Sequence, residues 1–159
     1  KNMAPRQWMR KMKVGKTGFD EVYKAVREYR EQYPDKAVTY FSQQFPQMGW
    51  AVLMGGGSLP NIPINTLSAT PLQKTFLHDV CEMAPINGEG CVALGGTTGY
   101  LVYTQSNAFR INVNAGNYQV YQINAKTGEI KQESKKVSLT STYEKSDTSP
   151  NKIYWIQRK

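Results

Sequence analysis

From Asn87 onward the chain repeats one pattern, a short apolar or alternating run followed by a turn signal. The runs are "YLVYT", "FRINV", "YQVYQIN" and "IYWIQRK"; the turns are "NGEG", "LGGTTG", Asn114-Ala-Gly-Asn117 and Asn124-Ala-Lys-Thr-Gly128. Short strands separated by regular turns predict an antiparallel sandwich or barrel. Residues 131–151 are more polar and predict one strand with a mobile loop.

The first half has a different grain. Thr17-Gly-Phe-Asp20 reads as a helix start, and Phe19, Val22, Tyr23, Val26, Tyr29 and Tyr33 then recur at helical spacing until Pro34. Next come "AVTYF" at residues 37–41, a short predicted strand, and "GWAVLMGGGSLPNIP" at residues 49–63. That second stretch begins like a buried strand at residues 50–54 and breaks on three glycines without a charge. Three glycines after an apolar run bring backbone close to a phosphate, a sugar or another piece of protein. Thr70, Pro71 and Gln73 then open a second helix, predicted over residues 70–83 and stopped by Pro85. The expected organisation is α+β: a connecting arm over 1–16, an α/β portion over 17–85 and a sandwich over 86–159, with the boundary at residues 85–89.

Several chemistries fail on residue type. A P-loop needs a lysine and a hydroxyl directly after its glycines, but no lysine follows residues 55–57 until Lys74. Pro60 and Pro63 block the helix that a dinucleotide fingerprint requires. No Asp or Glu lies between Lys36 and His78, so the glycine loop has no carboxylate pair of its own for glycoside hydrolysis. His78, the single histidine, forms H-x-x-C with Cys81, two ligands short of a metal site. Cys81 and Cys91 could pair in an oxidising compartment, though nothing in their spacing requires it. No catalytic residue, metal or cofactor is assigned.

The net charge of +8 is concentrated at one end. Lys1, Arg6, Arg10, Lys11, Lys13 and Lys16 precede the first acid, Asp20, leaving 14 basic against 12 acidic side chains afterwards. Such an arm can bind phosphate or anionic lipid, or simply be a solvated connection. The strand half has no basic stripe, so nucleic acid is not the expected partner. No apolar run approaches a membrane span. Lys1 in place of Met reads as the start of a processed or truncated product, so a signal segment could precede it.

Gln43, Gln44, Trp50, Ser58 and Asn61 offer neutral donors and acceptors beside an aromatic ring, a set suited to sugar hydroxyls and an apolar sugar face. A core position for Trp50, with the amides satisfying loop backbone, is equally compatible with the pattern. Tyr100, Tyr103, Tyr118, Tyr121 and Tyr143 could instead form an exposed aromatic strip on a non-catalytic binding or adhesion module.

"YPDKAVTYFSQQFPQMGWAVLMGGGSLPNIP", the Pro-started helix and "MAPI" together resemble the last βα unit of a glycoside-hydrolase-like (β/α)8 barrel. "GYLVYT", "GNYQVYQINAKTGEI" and "IYWIQRK" resemble the small β-sandwich that follows the barrel in bacterial glycosidase-like families and carries the name collagen-binding domain. The resemblance implies that residues 19–33 are the seventh barrel helix, 37–41 the eighth strand and 70–83 the eighth helix. It places the glycine loop at the C-terminal face, where barrel enzymes build their sites. The implied protein is secreted, periplasmic or on the cell surface, acts on polysaccharide or oligosaccharide, and takes its catalytic acids from earlier strands. Those strands would lie in a companion chain or an upstream region, since a quarter-barrel cannot close alone.

Overall fold

The computed structural model describes residues 18–40, 48–134 and 136–159. Helix α1 (Phe19–Gln32) buries Val22 and Val26, and Tyr33 closes it by donating its backbone N–H to the Tyr29 carbonyl just before Pro34. Its N-cap is Gly18, with no side-chain cap.

The run at residues 50–54, expected as a strand, is helical: α2 spans Gly49–Met54, and every residue of it is buried. An apolar run surrounded on all sides carries no period that separates strand from helix. Residues 37–40 form no strand, while Phe41 lies outside the described residues. The expected barrel strand is thus not formed over its described portion. The Ser58 N–H donates to the Val38 carbonyl at 2.6 Å, a single link rather than a ladder.

Helix α3 (Pro71–Cys81) starts where its signals predict, with a complete capping box. Thr70 Oγ1 accepts from the Gln73 N–H at 3.2 Å, and Gln73 Oε1 accepts from the Thr70 N–H at 2.9 Å.

Ten short strands follow among the described residues. Strands β1 (Ala84–Ile86), β3 (Cys91–Gly95), β4 (Gly99–Thr104), β6 (Gly116–Ile123), β7 (Ile130–Gln132), β8 (Val137–Leu139) and β10 (Ile153–Arg158) form a seven-stranded antiparallel sheet. Its order is β1-β3-β4-β10-β6-β7, and β8 also pairs with β6. Strands β2 (Gly88–Glu89), β5 (Phe109–Asn112) and β9 (Thr142–Lys145) form a three-stranded sheet. Residues 131–151 therefore contribute to three strands, where one strand and a loop were expected.

The large sheet is buried on both faces. On one face Leu94, Leu101, Trp155 and Tyr121 stand in register across four strands. Phe76 of α3 meets Trp155 edge-on at 5.5 Å, and Trp50 lies 6.3 Å from Phe76. Trp50, Leu53, Met54, Phe76 and Val80 complete this core from the helical side. On the other face Ala93, Val102, Val120, Tyr154 and Ile156 pack against Phe109 and Ile111 of the small sheet. Double burial explains why β4 and β10 read as nearly continuous apolar runs rather than alternating ones. The result is an α+β fold: an antiparallel sandwich whose larger sheet carries a layer of helices.

Candidate functional site

The glycine stretch is answered first by packing. A Cβ on Gly55 or on Gly57 would lie 2.9 Å from Val26 Cγ1, and on Gly57 also 2.6 Å from Val52 Cγ1. Both distances are closer than real side chains tolerate, so bare backbone lets α1 press against the end of α2. The close neighbour is another piece of the same protein.

The loop beyond is held from two sides. A side chain at Gly49 would overlap the Asn61 carbonyl, and one at Gly128 would overlap the Pro63 carbonyl; Gly128 also has φ +70°. Gly128 belongs to the turn between β6 and β7. There Asn124 Oδ1 accepts from the N–H groups of Lys126 (2.9 Å) and Thr127 (3.2 Å), an Asx-turn. The same turn docks on the helices: the Trp50 indole N–H donates to the Ala125 carbonyl, and Gln73 Nε2 to the Gly128 carbonyl, each at 2.9 Å.

These contacts decide where the candidate residues lie. Trp50 is 2% exposed and belongs to the core, where its ring presents no free face; of the two readings open from sequence, the structure has the core one. Ser58 is half-buried and Asn61 exposed, both on the loop that follows α2, and neither side chain hydrogen-bonds another described residue. Gln43 and Gln44, like the arm over residues 1–16, lie outside the described residues. Two apolar side chains between α2 and α3 are exposed, Leu59 at 86% with φ 52°, and Leu67 at 94%. From residue 37 to residue 73 the chain has no charged side chain.

The aromatic strip does not exist. Tyr100, Tyr103, Tyr118 and Tyr121 are buried, and Tyr143 is half-buried. Strand alternation divides them between opposite faces of the large sheet, Tyr103 and Tyr121 toward the helices, Tyr100 and Tyr118 toward the small sheet. Tyr103 stacks on Phe19 of α1 at 3.8 Å, so it serves packing.

Asp79 on α3 is buried, and burial raises its carboxyl above the usual range against the opposing pull of Gln157, His78 and Lys159. Gln157 Nε2 donates to Asp79 Oδ2 at 3.3 Å, tying α3 to β10. Sequence reading missed this contact, because 78 positions separate the partners and neither carries a motif. Cys81 is exposed and Cys91 buried, both as free thiols; burial pushes the Cys91 thiol up to about 11. Among the described residues no group of three or more His, Cys, Asp or Glu could hold a metal ion, and no helix is long and apolar enough to cross a membrane.

Fold and loop together define a helix-covered antiparallel sandwich that displays a pinned, uncharged loop. Residues 1–83 match the family described as a domain of unknown function (DUF6298), and the chain belongs to that family. Among solved structures it is similar to the crystal structure of a glycoside hydrolase family 5 from Bacteroides vulgatus ATCC 8482, with 11% identity and a TM-score of 0.46. That likeness covers 79% of this chain and 37% of the other, so the chain spans little more than a third of that structure's length. At this level of likeness, nothing about site or activity carries across. No curated protein matches the chain.

Proposed function

We propose that the chain is the C-terminal portion of a carbohydrate-active protein that works outside the cytoplasm. In this reading α1–α3 lend a cleft-lining loop to a glycosidase-type (β/α)8 barrel, and the strands form an accessory sandwich that braces it. The catalytic carboxylates belong to the barrel's earlier strands, in an upstream region or a companion chain. Gln43 and Gln44, neutral by residue type, remain candidates for the same contact.

One observation carries the reading: the partly exposed loop at residues 58–61 is uncharged, offers an unoccupied hydroxyl and amide, and is held by Gly49 against Asn61 and, just beyond it, by Gly128 against Pro63. Sugar hydroxyls are matched by neutral donors and acceptors, and a backbone already fixed spares the ordering cost of binding. Trp50 shares a core with Ile62 and Ile64, the apolar residues just beyond the loop.

The test is calorimetric titration of the native protein, with everything that co-purifies, against neutral gluco-, xylo- and manno-oligosaccharides. Asn61→Ala removes one hydrogen-bonding side chain and should weaken binding by roughly 2- to 12-fold, the equivalent of ~0.5–1.5 kcal/mol. Affinity should hardly change with salt, because no counterions are released. Unchanged affinity in Asn61→Ala would remove the loop from the cleft. A steep salt dependence would point to a charged ligand instead.

A further inference from the structure

At the opposite side of the large sheet from the helices, a cleft of about 560 Å3 opens between the two sheets. Its volume falls within the ~300–1,000 Å3 of ordinary small-molecule sites. Asn87, Thr97, Asn112, Asn114 and Arg158 line it, with Tyr100 at its floor. No acidic residue lines the cleft.

Arg158 follows Tyr154 and Ile156 by strand alternation and so faces the small-sheet side. Its Nη2 donates to the Ala115 carbonyl at 3.2 Å, which orients the guanidinium and leaves further N–H groups free. No carboxylate among the described residues pairs with it. The side chains of Asn87, Thr97, Asn112 and Asn114 likewise make no hydrogen bond to another described residue.

The wall carrying Asn114 is fixed by two buried tyrosines. The Asn114 N–H donates to the Tyr100 hydroxyl, and the Tyr118 hydroxyl donates to the Asn114 carbonyl, each at 2.7 Å. Both tyrosine hydroxyls bond the backbone of this one residue, which leaves its amide side chain free. A guanidinium forks onto a carboxylate, while amides and hydroxyls pair with ring hydroxyls.

We propose that this cleft binds an acidic sugar residue, a hexuronate, with Arg158 taking the carboxylate and Asn87, Asn112 and Asn114 taking ring hydroxyls. The site is separate from the loop at residues 58–61 and does not depend on what that loop binds.

Calorimetric titration of the intact chain with a galacturonate trimer and a glucuronate-containing disaccharide tests it, with the methyl-esterified trimer and inorganic sulfate as controls. At least one acidic saccharide should bind, and the ester should bind about tenfold more weakly than the acid. Arg158→Gln should weaken binding by roughly 10-fold or more, as expected for a charge-assisted contact. Arg158→Lys, which keeps the charge but loses the fork, should fall between; it serves in place of Arg158→Gln if circular dichroism shows that variant unfolded. Asn112→Ala should cost a few-fold, which places the binding in this cleft. Failure of both acidic saccharides to bind at millimolar concentration, equal binding of ester and acid, or competition by sulfate as effective as by the trimer would overturn the proposal. So would affinity unchanged in both Arg158 variants.

Discussion

Asp79 shows how a single buried group can be read in solution. Burial raises its folded-state pKa above the ordinary 3.8, so the folded protein holds this proton more tightly than the unfolded chain does. The stability it contributes is fully present below pH 3.8 and is lost as pH rises through the folded pKa. Asp79→Asn removes the ionisation and keeps a carbonyl oxygen for Gln157. The variant should be more stable than the parent at about pH 7, with the gap closing as pH falls toward about 4. Urea midpoints at several pH values check this; a gap that stays constant with pH would show that Asp79 does not titrate as described.

Among the elements, α3 depends on Gln73 twice over. The residue closes the capping box with one amide atom and reaches the Gly128 carbonyl with the other. Thr70→Ala should cost about 1 kcal/mol, the usual value of a lost N-cap. Gln73→Ala loses a cap bond and the link to the β6–β7 turn, and should cost about 1–2 kcal/mol. Urea denaturation separates the two; a smaller loss for Gln73→Ala than for Thr70→Ala would mean the link to Gly128 adds nothing.

The same elements show what was legible in the sequence. Helices α1 and α3 could be read because each has one polar side, and α3 has explicit start signals in Thr70, Pro71 and Gln73. The run in α2 could not, since all of its residues are buried and leave no period. Strands were visible through their turns, but the facing of Tyr100 and Tyr103 was not, because β4 is buried on both sides. The candidate loop was legible from its glycines and its lack of charge. The core position of Trp50 was not legible, because its indole bonds Ala125, 75 positions away, which no local pattern encodes.

For the molecule as a whole, the helices are the cover of one sheet face. Val92, Leu94, Leu101, Tyr103, Tyr121, Ile123, Ile153 and Trp155 share a core with Trp50, Phe76 and Val80. Residues 86–159 expressed alone would expose that face and should aggregate or bind a hydrophobic dye such as ANS. The full chain should bind little dye. A soluble, dye-silent fragment with sharp thermal unfolding would show instead that the sandwich stands without its helices.

Strand β10, the last of the ten in sequence, lies between β4 and β6, which do not pair with each other. During synthesis the chain therefore holds two half-sheets with open edges until residues 153–158 leave the ribosome. Those edges, rather than the finished surface, are where a nascent chain would need a chaperone. Loss of residues 153–158 would cost the protein the middle of its sheet.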